Sequence, residues 1–211
     1  MNTQTFLSRV ICAGLFAGFL AGTPLSAAGD EFRFGAGAHI VNPDGDIKDA
    51  AKMGFGLSVF GEMGLDKNMA LRGRVDYNMF GKKTESFFSG GFGYSSEESM
   101  TAKTVFVDYI YSANSCDQGL YVFGGLGLVS ATLKAKATFT FPDPYSDGGS
   151  VSGSDSDSRS GSNFGYTVGL GYNFTSNLGA EASIVRSNIK FEDGDEAFGC
   201  NWLQVSFKYR F

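Results

Sequence analysis

The sequence predicts an all-β fold, an eight-stranded antiparallel up-and-down transmembrane β-barrel, and three observations carry that expectation. Apolar and polar residues alternate with a period of two in one segment after another. No segment beyond the N-terminal leader is apolar for long enough to form a membrane-spanning helix. The links between the alternating segments are short and long in turn, so all the long ones emerge at one end of an up-and-down barrel.

Residues 1–28 read as a secretory signal peptide. Arg9 precedes an apolar core from Val10 to Leu20, Pro24 breaks it, and Ser26-Ala27-Ala28 places small residues before a cleavage point at Gly29. Residues 29–211 form the expected barrel domain. In the leader, Arg9 sits at −3 of Cys12 and most of the apolar core follows that cysteine, the wrong order for a lipidation site.

The closing strand alternates most clearly. Leu203, Val205, Phe207, Tyr209 and Phe211 share one face, and Gln204, Ser206, Lys208 and Arg210 the other, because successive side chains of a strand point to opposite sides. The first strand, about 31–41, sets Phe32, Phe34, Ala36 and Ile40 against Arg33 and His39. Residues 53–63 set Phe55, Leu57, Val59 and Met63 against Ser58 and Glu62. Residues 69–79 set Leu71, Val75, Tyr77 and Met79 against Arg72, Arg74, Asp76 and Asn78. Residues 101–113 set Val105, Val107, Tyr109 and Tyr111 against Thr104, Asp108 and Ser112, and residues 164–174 set six apolar residues against Gly165, Thr167, Gly169, Gly171 and Asn173. Residues 119–139 are apolar on both faces before they resolve. Residues 178–191 place Glu181 inside and change phase near Val185, where a bulge is expected. Short turns are expected at 66–68, 114–118 and 175–177, and long polar links at 42–52, 81–100, 140–162 and 192–199.

Alternation alone fits a soluble lipocalin-like barrel with the opposite sense. Three features turn the apolar face towards lipid. The polar face mixes both charges with many glycines, as a narrow filled interior requires. Aromatics gather at strand ends, where membrane girdles sit, and the loop lengths are asymmetric. The putative outer face also carries almost none of the Lys and Glu that a water-facing surface would need. Bacterial outer membrane is therefore the expected location, with outer-membrane lipid as the surrounding partner.

Composition agrees. Charged residues are 18%, aromatics 15%, and the net charge is −5 with no basic run, which excludes nucleic acid as a partner. Of the cysteines beyond the leader, Cys116 and Cys200 fall at opposite ends of the barrel, so no disulfide is expected, and no CxxC suggests zinc.

Several short motifs resemble the small outer-membrane barrels grouped as the OmpA-like, OmpX-like and OmpW-like porin family. They are Gly125-Leu126-Gly127, Gly169-Leu170-Gly171-Tyr172-Asn173-Phe174, Leu178-Gly179-Ala180-Glu181-Ala182 and the final Val205-Ser206-Phe207-Lys208-Tyr209-Arg210-Phe211. The resemblance implies that Phe207, Tyr209 and Phe211 form an assembly signal for the outer-membrane insertion machinery. It also implies a gate-like Arg–Glu arrangement, for which Arg74 with Glu181 or Asp108 is the nearest analogue.

The sharpest constellation is a lumen charge network of Arg33, Glu62, Arg72, Arg74, Asp76, Asp108, Glu181, Lys208 and Arg210. Charges in a narrow lumen must pair across strands, either as a structural plug or as a pore constriction. His39 is the only histidine and has no local serine partner, so no catalytic residues are assigned and no enzyme is expected. No cofactor and no metal site is expected. The loop at 143–162, with Asp143, Asp147, Asp155 and Asp157, lacks the ordered spacing of a calcium loop and reads as a solvated surface loop. Phe87, Phe88, Phe92 and Tyr94 stand in an external loop, either as contacts for a partner or as the packing of a hairpin that extends the third and fourth strands. The expected function is a structural or surface-interaction role, adhesion-like, through loops that meet an extracellular ligand, for a monomeric barrel. The alternative is a narrow pore for ions or small solutes.

Overall fold

The structure is a computed structural model that describes residues 32–89, 92–113, 116–142, 150–191 and 197–211. The expected signal segment, Asp143 and Asp147 lie outside the described residues. The strands are β1 (Phe32–Asp44), β2 (Lys52–Asp66), β3 (Met69–Gly81), β4 (Lys83–Ser89), β5 (Phe92–Ser112), β6 (Gly119–Pro142), β7 (Ser150–Asn173), β8 (Leu178–Ile189) and β9 (Phe198–Arg210). No helix among the described residues is long and apolar enough to cross a membrane.

Neighbouring strands pair antiparallel, β1 pairs with both β2 and β9, and β3 pairs with β5, which closes the ring. Both β3 and β4 run along β5, β3 beside Thr101–Tyr111 and β4 beside Phe92–Glu98, so they form one stave interrupted at Lys82. The closed ring thus has eight staves, and closure leaves no unpaired edge within lipid. The N–H of Phe211 donates to the carbonyl of Phe34 at 2.9 Å and ties the chain end to the first strand.

The period of two sets which side chains face out. Phe34, Ile40, Phe55, Leu57, Tyr77, Val107, Leu126, Phe164, Leu170, Leu178, Ile184, Val205 and Phe207 are exposed, while Arg72, Asp108, Glu181, Lys208 and Arg210, at alternate positions of β3, β5, β8 and β9, are buried. Large apolar groups in contact with the surroundings and charges inside are the sense expected of a barrel in lipid.

Four expectations from the sequence change. First, residues 150–162 are strand, not loop: they pair residue for residue with 130–142, which doubles the length of the β6–β7 hairpin. Secondly, the link expected at 81–100 is largely strand: residues 83–89 and 92–100 extend the third and fourth staves, which is the hairpin alternative considered for its aromatics. Thirdly, β8 has no bulge: its pairing with β9 runs without a shift from Leu178 to Ile189, and the shifts that do occur lie in β2 against β3. The apparent change of phase at Val185 is a change of lumen character. Val185 and Ile189 stay inside, but there the lumen is apolar and the outer face carries Arg186 and Asn188. Fourthly, the link after β1 is short and turns through a 3-10 segment, Gly45–Asp49, entered at Gly45 with φ +65°, where glycine meets no Cβ penalty.

The interior is layered. At the end of the long hairpins, Ile47 of the 3-10 segment and Trp202 are fully buried with Val41, Phe80, Met100, Phe106, Val129 and Ile189. Phe80 and Trp202 pack edge to face with centroids 5.8 Å apart. At the short-turn end a smaller apolar cluster holds Ala70, Ile110, Tyr121 and Phe123. The charged groups lie between the two. Cys116 sits at the short-turn end and Cys200 in the opposite apolar cluster, and both are free thiols.

Candidate functional site: a charged waist and a projecting sheet

The waist is built from inward positions of five staves, those of β3, β5, β6, β8 and β9. Arg72 on β3 donates from Nε to Asp108 Oδ2 on β5 at 3.0 Å, and its Nη1 reaches Glu181 Oε1 on β8 at 2.5 Å. Lys208 on β9 also pairs with Glu181, and Tyr121 on β6 donates its hydroxyl to the same carboxylate at 2.7 Å. Arg74 lies 3.4 Å from Asp108 and 3.5 Å from Asp76, which accepts from Thr104 Oγ1 at 2.8 Å. Glu62 pairs with Arg210 at 3.0 Å towards the short-turn end. Arg33 is placed apart from these groups and pairs with Asp117 at that end.

Three carboxylates and three cations therefore share one low-dielectric layer, and multiple partners offset part of the desolvation each would otherwise suffer. Of the two arrangements considered for Arg74, the geometry brings it to Asp108, while Arg72 takes Glu181.

The sequence reading missed the aromatic walls of this waist. Arg72 stacks over Phe123 at 4.7 Å, Lys208 over Tyr121 at 5.1 Å and Phe60 at 5.2 Å, and Arg74 over Phe106 at 5.6 Å. The available signal was the run at 119–128, apolar on both faces, which now reads as Tyr121 and Phe123 packed inward on the cations. Large inward rings need small inward neighbours: a Cβ on Gly171 would stand 2.2 Å from the Tyr121 ring, and one on Gly125 2.1 Å from Asp108.

His39 faces the lumen, and its Nε2 is 2.6 Å from Asn78 Oδ1. Asp155 and Asp157 are strand residues of β7, and Arg159 engages Asp157 at 2.8 Å. Among the described residues no group of three metal-ligating side chains is assembled.

Beyond the ring, β4, β5, β6 and β7 continue as one projecting sheet. Residues paired across strands share a face, so Phe87, Tyr94, Phe139 and Gly153 form one row. Tyr94 and Phe139 stack at 5.3 Å, and Phe92 and Phe141 at 5.2 Å on the same face. Phe88, exposed, is on the other face. The far edge of β7 pairs with β8 only from Gly165 onwards, with one isolated bridge from Gly161 to Phe191. Among the described residues, Ser150 to Ser160 thus has a strand partner on one side only. On the outer wall of β9, Phe207, Tyr209 and Phe211 are exposed, and the last two rings stack at 5.4 Å.

The fold is similar to that of Ail, the attachment invasion locus protein of Yersinia pestis, with a TM-score of 0.53 at 16% identity over 88% of this chain and 100% of that one. Weaker likenesses include OprG from Pseudomonas aeruginosa, TM-score 0.45 at 11% identity over 87% of this chain and 96% of that one. The N-terminal barrel domain of OprF from the same organism gives 0.39 at 16% identity over 84% and 97%. No curated protein matches the chain in sequence. The family model described as the outer membrane protein beta-barrel domain matches residues 12–211. A closed eight-stave ring, apolar outside and charged within, matched along nearly its whole length by that model, belongs to the outer membrane protein beta-barrel family and resides in the bacterial outer membrane.

Proposed function

We propose that the protein is a closed envelope barrel whose working part is the projecting β4–β7 sheet, which binds an extracellular protein by adding an extended segment of it to the β7 edge. The observation that carries this reading is the run Ser150–Ser160, a long strand edge with a partner on one side only among the described residues. Such an edge presents a row of backbone donors and acceptors to another chain. The aromatic row of Phe87, Tyr94 and Phe139 lies on one face of the same sheet and offers apolar contact to the side chains of an added strand.

The test uses Ser156→Pro and Asp157→Pro separately. Adjacent N–H groups of a strand point to opposite edges, so one of these prolines blocks the free edge and the other meets the β6 ladder. Folded protein in nanodiscs is offered to immobilised extracellular-matrix and serum proteins. Saturable capture that one folded proline variant loses is the expected result. Capture unchanged in both, or none by the parent protein, rejects the reading.

A second reading, a narrow pore, draws on the waist: Arg74 Nη2, Asp76 Oδ1, Asp108 Oδ1 and Ser183 Oγ are buried without a protein hydrogen-bond partner, and such atoms call for water. The apolar layer around Trp202 and Ile47 stands between that waist and the long-hairpin end. We further propose that the exposed Phe207, Tyr209 and Phe211 edge engages the insertion machinery during assembly.

A further inference from the structure

We propose that the segment added at the β7 edge carries, on one face, a basic residue beside Asp155 and an aromatic residue two places away beside Gly153. This rests on the edge reading above and names the chemistry of its partner. Parity comes first. Ser187 Oγ on β8 donates to the carbonyl of Phe164 at 2.9 Å. The N–H and C=O groups of one strand residue point to the same side, so those of the even-numbered β7 residues point away from β6. Pairing with β6 runs without a shift up to Ser150, and every even position from Ser150 to Ser160 is serine. Serine backbones thus line the free edge. The odd positions, Val151, Gly153, Asp155, Asp157 and Arg159, set their side chains on the face of the aromatic row.

Strand pairing divides that face into rows about 7 Å apart. The row nearest the hairpin tips holds Phe92, Phe141 and Val151. The next runs through Phe87, Tyr94 and Phe139 and ends at Gly153, where an added Cβ would meet nothing within 4 Å. The aromatic row therefore stops one strand short of the edge, and a ring on an added strand completes it across Gly153. The third row is Glu85, Ser96, Ala137 and Asp155, and the fourth Lys83, Glu98, Ala135 and Asp157. The cations on this face are engaged: Lys83 lies 3.3 Å from Glu85, and Arg159 2.8 Å from Asp157. Asp155, at the edge, has no ion-pair partner among the described residues.

Asp155 is also an obstacle. Its Oδ1 accepts from the N–H of Ser156 at 2.9 Å, and that N–H is one of the free-edge donors. An incoming strand must take the donor with its own carbonyl and release the carboxylate. A neutral strand leaves the released carboxylate without a partner, whereas a lysine or arginine beside it supplies a charge-assisted contact. Asp155 thus works against strands at large and for a cationic one. Two places along, the gap at Gly153 takes the ring, and Val151 beyond it offers apolar contact. The intervening residues of the added strand meet the serine face, where Lys134 and Lys136 stand opposite Ser158 and Ser156 and disfavour a cation.

The probes are short fluorescent peptides, capped at both ends, in which threonine alternates with lysine, phenylalanine and valine in turn. Both chain directions are made, because an edge accepts either. Binding to the folded protein in neutral phosphatidylcholine nanodiscs is read by anisotropy, and heat-modifiable gel mobility verifies each variant. Saturable binding in one direction is expected. Glutamine for the peptide's lysine, or alanine for its phenylalanine, should weaken it several-fold. Asp155→Asn keeps the oxygen that caps Ser156 and removes only the charge, so it should abolish the difference between the lysine and glutamine peptides. Asp155→Ala should raise binding of the glutamine peptide above the parent level, and Gly153→Val should remove the preference for phenylalanine. Binding lost in Ser156→Pro but indifferent to lysine, phenylalanine and Asp155 overturns this inference and leaves the edge reading standing. Binding that Ser156→Pro leaves unchanged overturns the edge reading itself. No saturable binding in either direction overturns the inference alone, because capture of matrix and serum proteins decides the edge reading separately.

Discussion

Arg72 on β3 and Glu181 on β8 meet at 2.5 Å across the lumen, on opposite staves of the ring and separated by 109 residues in sequence. The contact pins the two halves of the barrel together through its middle. Removing the carboxylate leaves Arg72 and Lys208 buried without it, so Glu181→Gln is expected to cost about 3–5 kcal/mol. Urea unfolding in liposomes, followed by heat-modifiable gel mobility, measures this. With Arg72→Met added, the double variant should cost less than the two single losses together, because the pair acts as a unit.

The apolar layer at the long-hairpin end rests on Trp202, which is fully buried against Phe80. Trp202→Ala is expected to destabilise the barrel by about 3–5 kcal/mol through the cavity it leaves. Leu203→Ala, one residue away on the outer wall, should cost less than half as much. A comparison of the two by equilibrium unfolding checks which side of β9 carries the packing.

Gly171 leaves room for Tyr121, whose hydroxyl donates to Glu181 at 2.7 Å. A methyl group at Gly171 must move that ring, and Gly171→Ala is expected to cost about 1–3 kcal/mol by overpacking. Pairing it with Tyr121→Phe should recover little, since the ring itself is in the way. Unfolding midpoints of the three variants decide the matter.

Phe211 has its side chain outside and its backbone tied to Phe34. If the outer edge of β9 serves assembly, Phe211→Ala should change the stability of the refolded barrel by no more than about 1 kcal/mol, yet lower its amount in the outer membrane of growing cells several-fold. Quantitative immunoblots of membrane fractions beside unfolding curves separate these effects.

The ring and its sense were legible in the sequence because the two faces of β3, β7 and β9 contrast so strongly over the hydrocarbon layer. Arg72, Asp108 and Glu181 fall inward by parity alone. The contrast fails where the surroundings change. Around Val185 the wall leaves the lipid while the lumen becomes apolar, so Arg186 turns out and Ile189 turns in, and a period read on polarity looks shifted. Residues 150–162 have the composition of a loop: serine recurs at every second position, but without apolar–polar contrast, and their strand comes from register with β6. Which carboxylate meets Arg74 was equally hidden, because it depends on the register between β3 and its neighbour β5, which sets Arg72 directly opposite Asp108.

Planar-bilayer recording from the purified barrel, after its folded state is verified by gel mobility, tests most directly whether the barrel is closed and works from its outside. The charged waist and the Trp202–Ile47 layer should hold the folded protein silent at any modest voltage. Discrete, steady conductance steps from that sample, altered in size by substitution of Arg74 or Glu181, would contradict a closed barrel and move the function into the lumen.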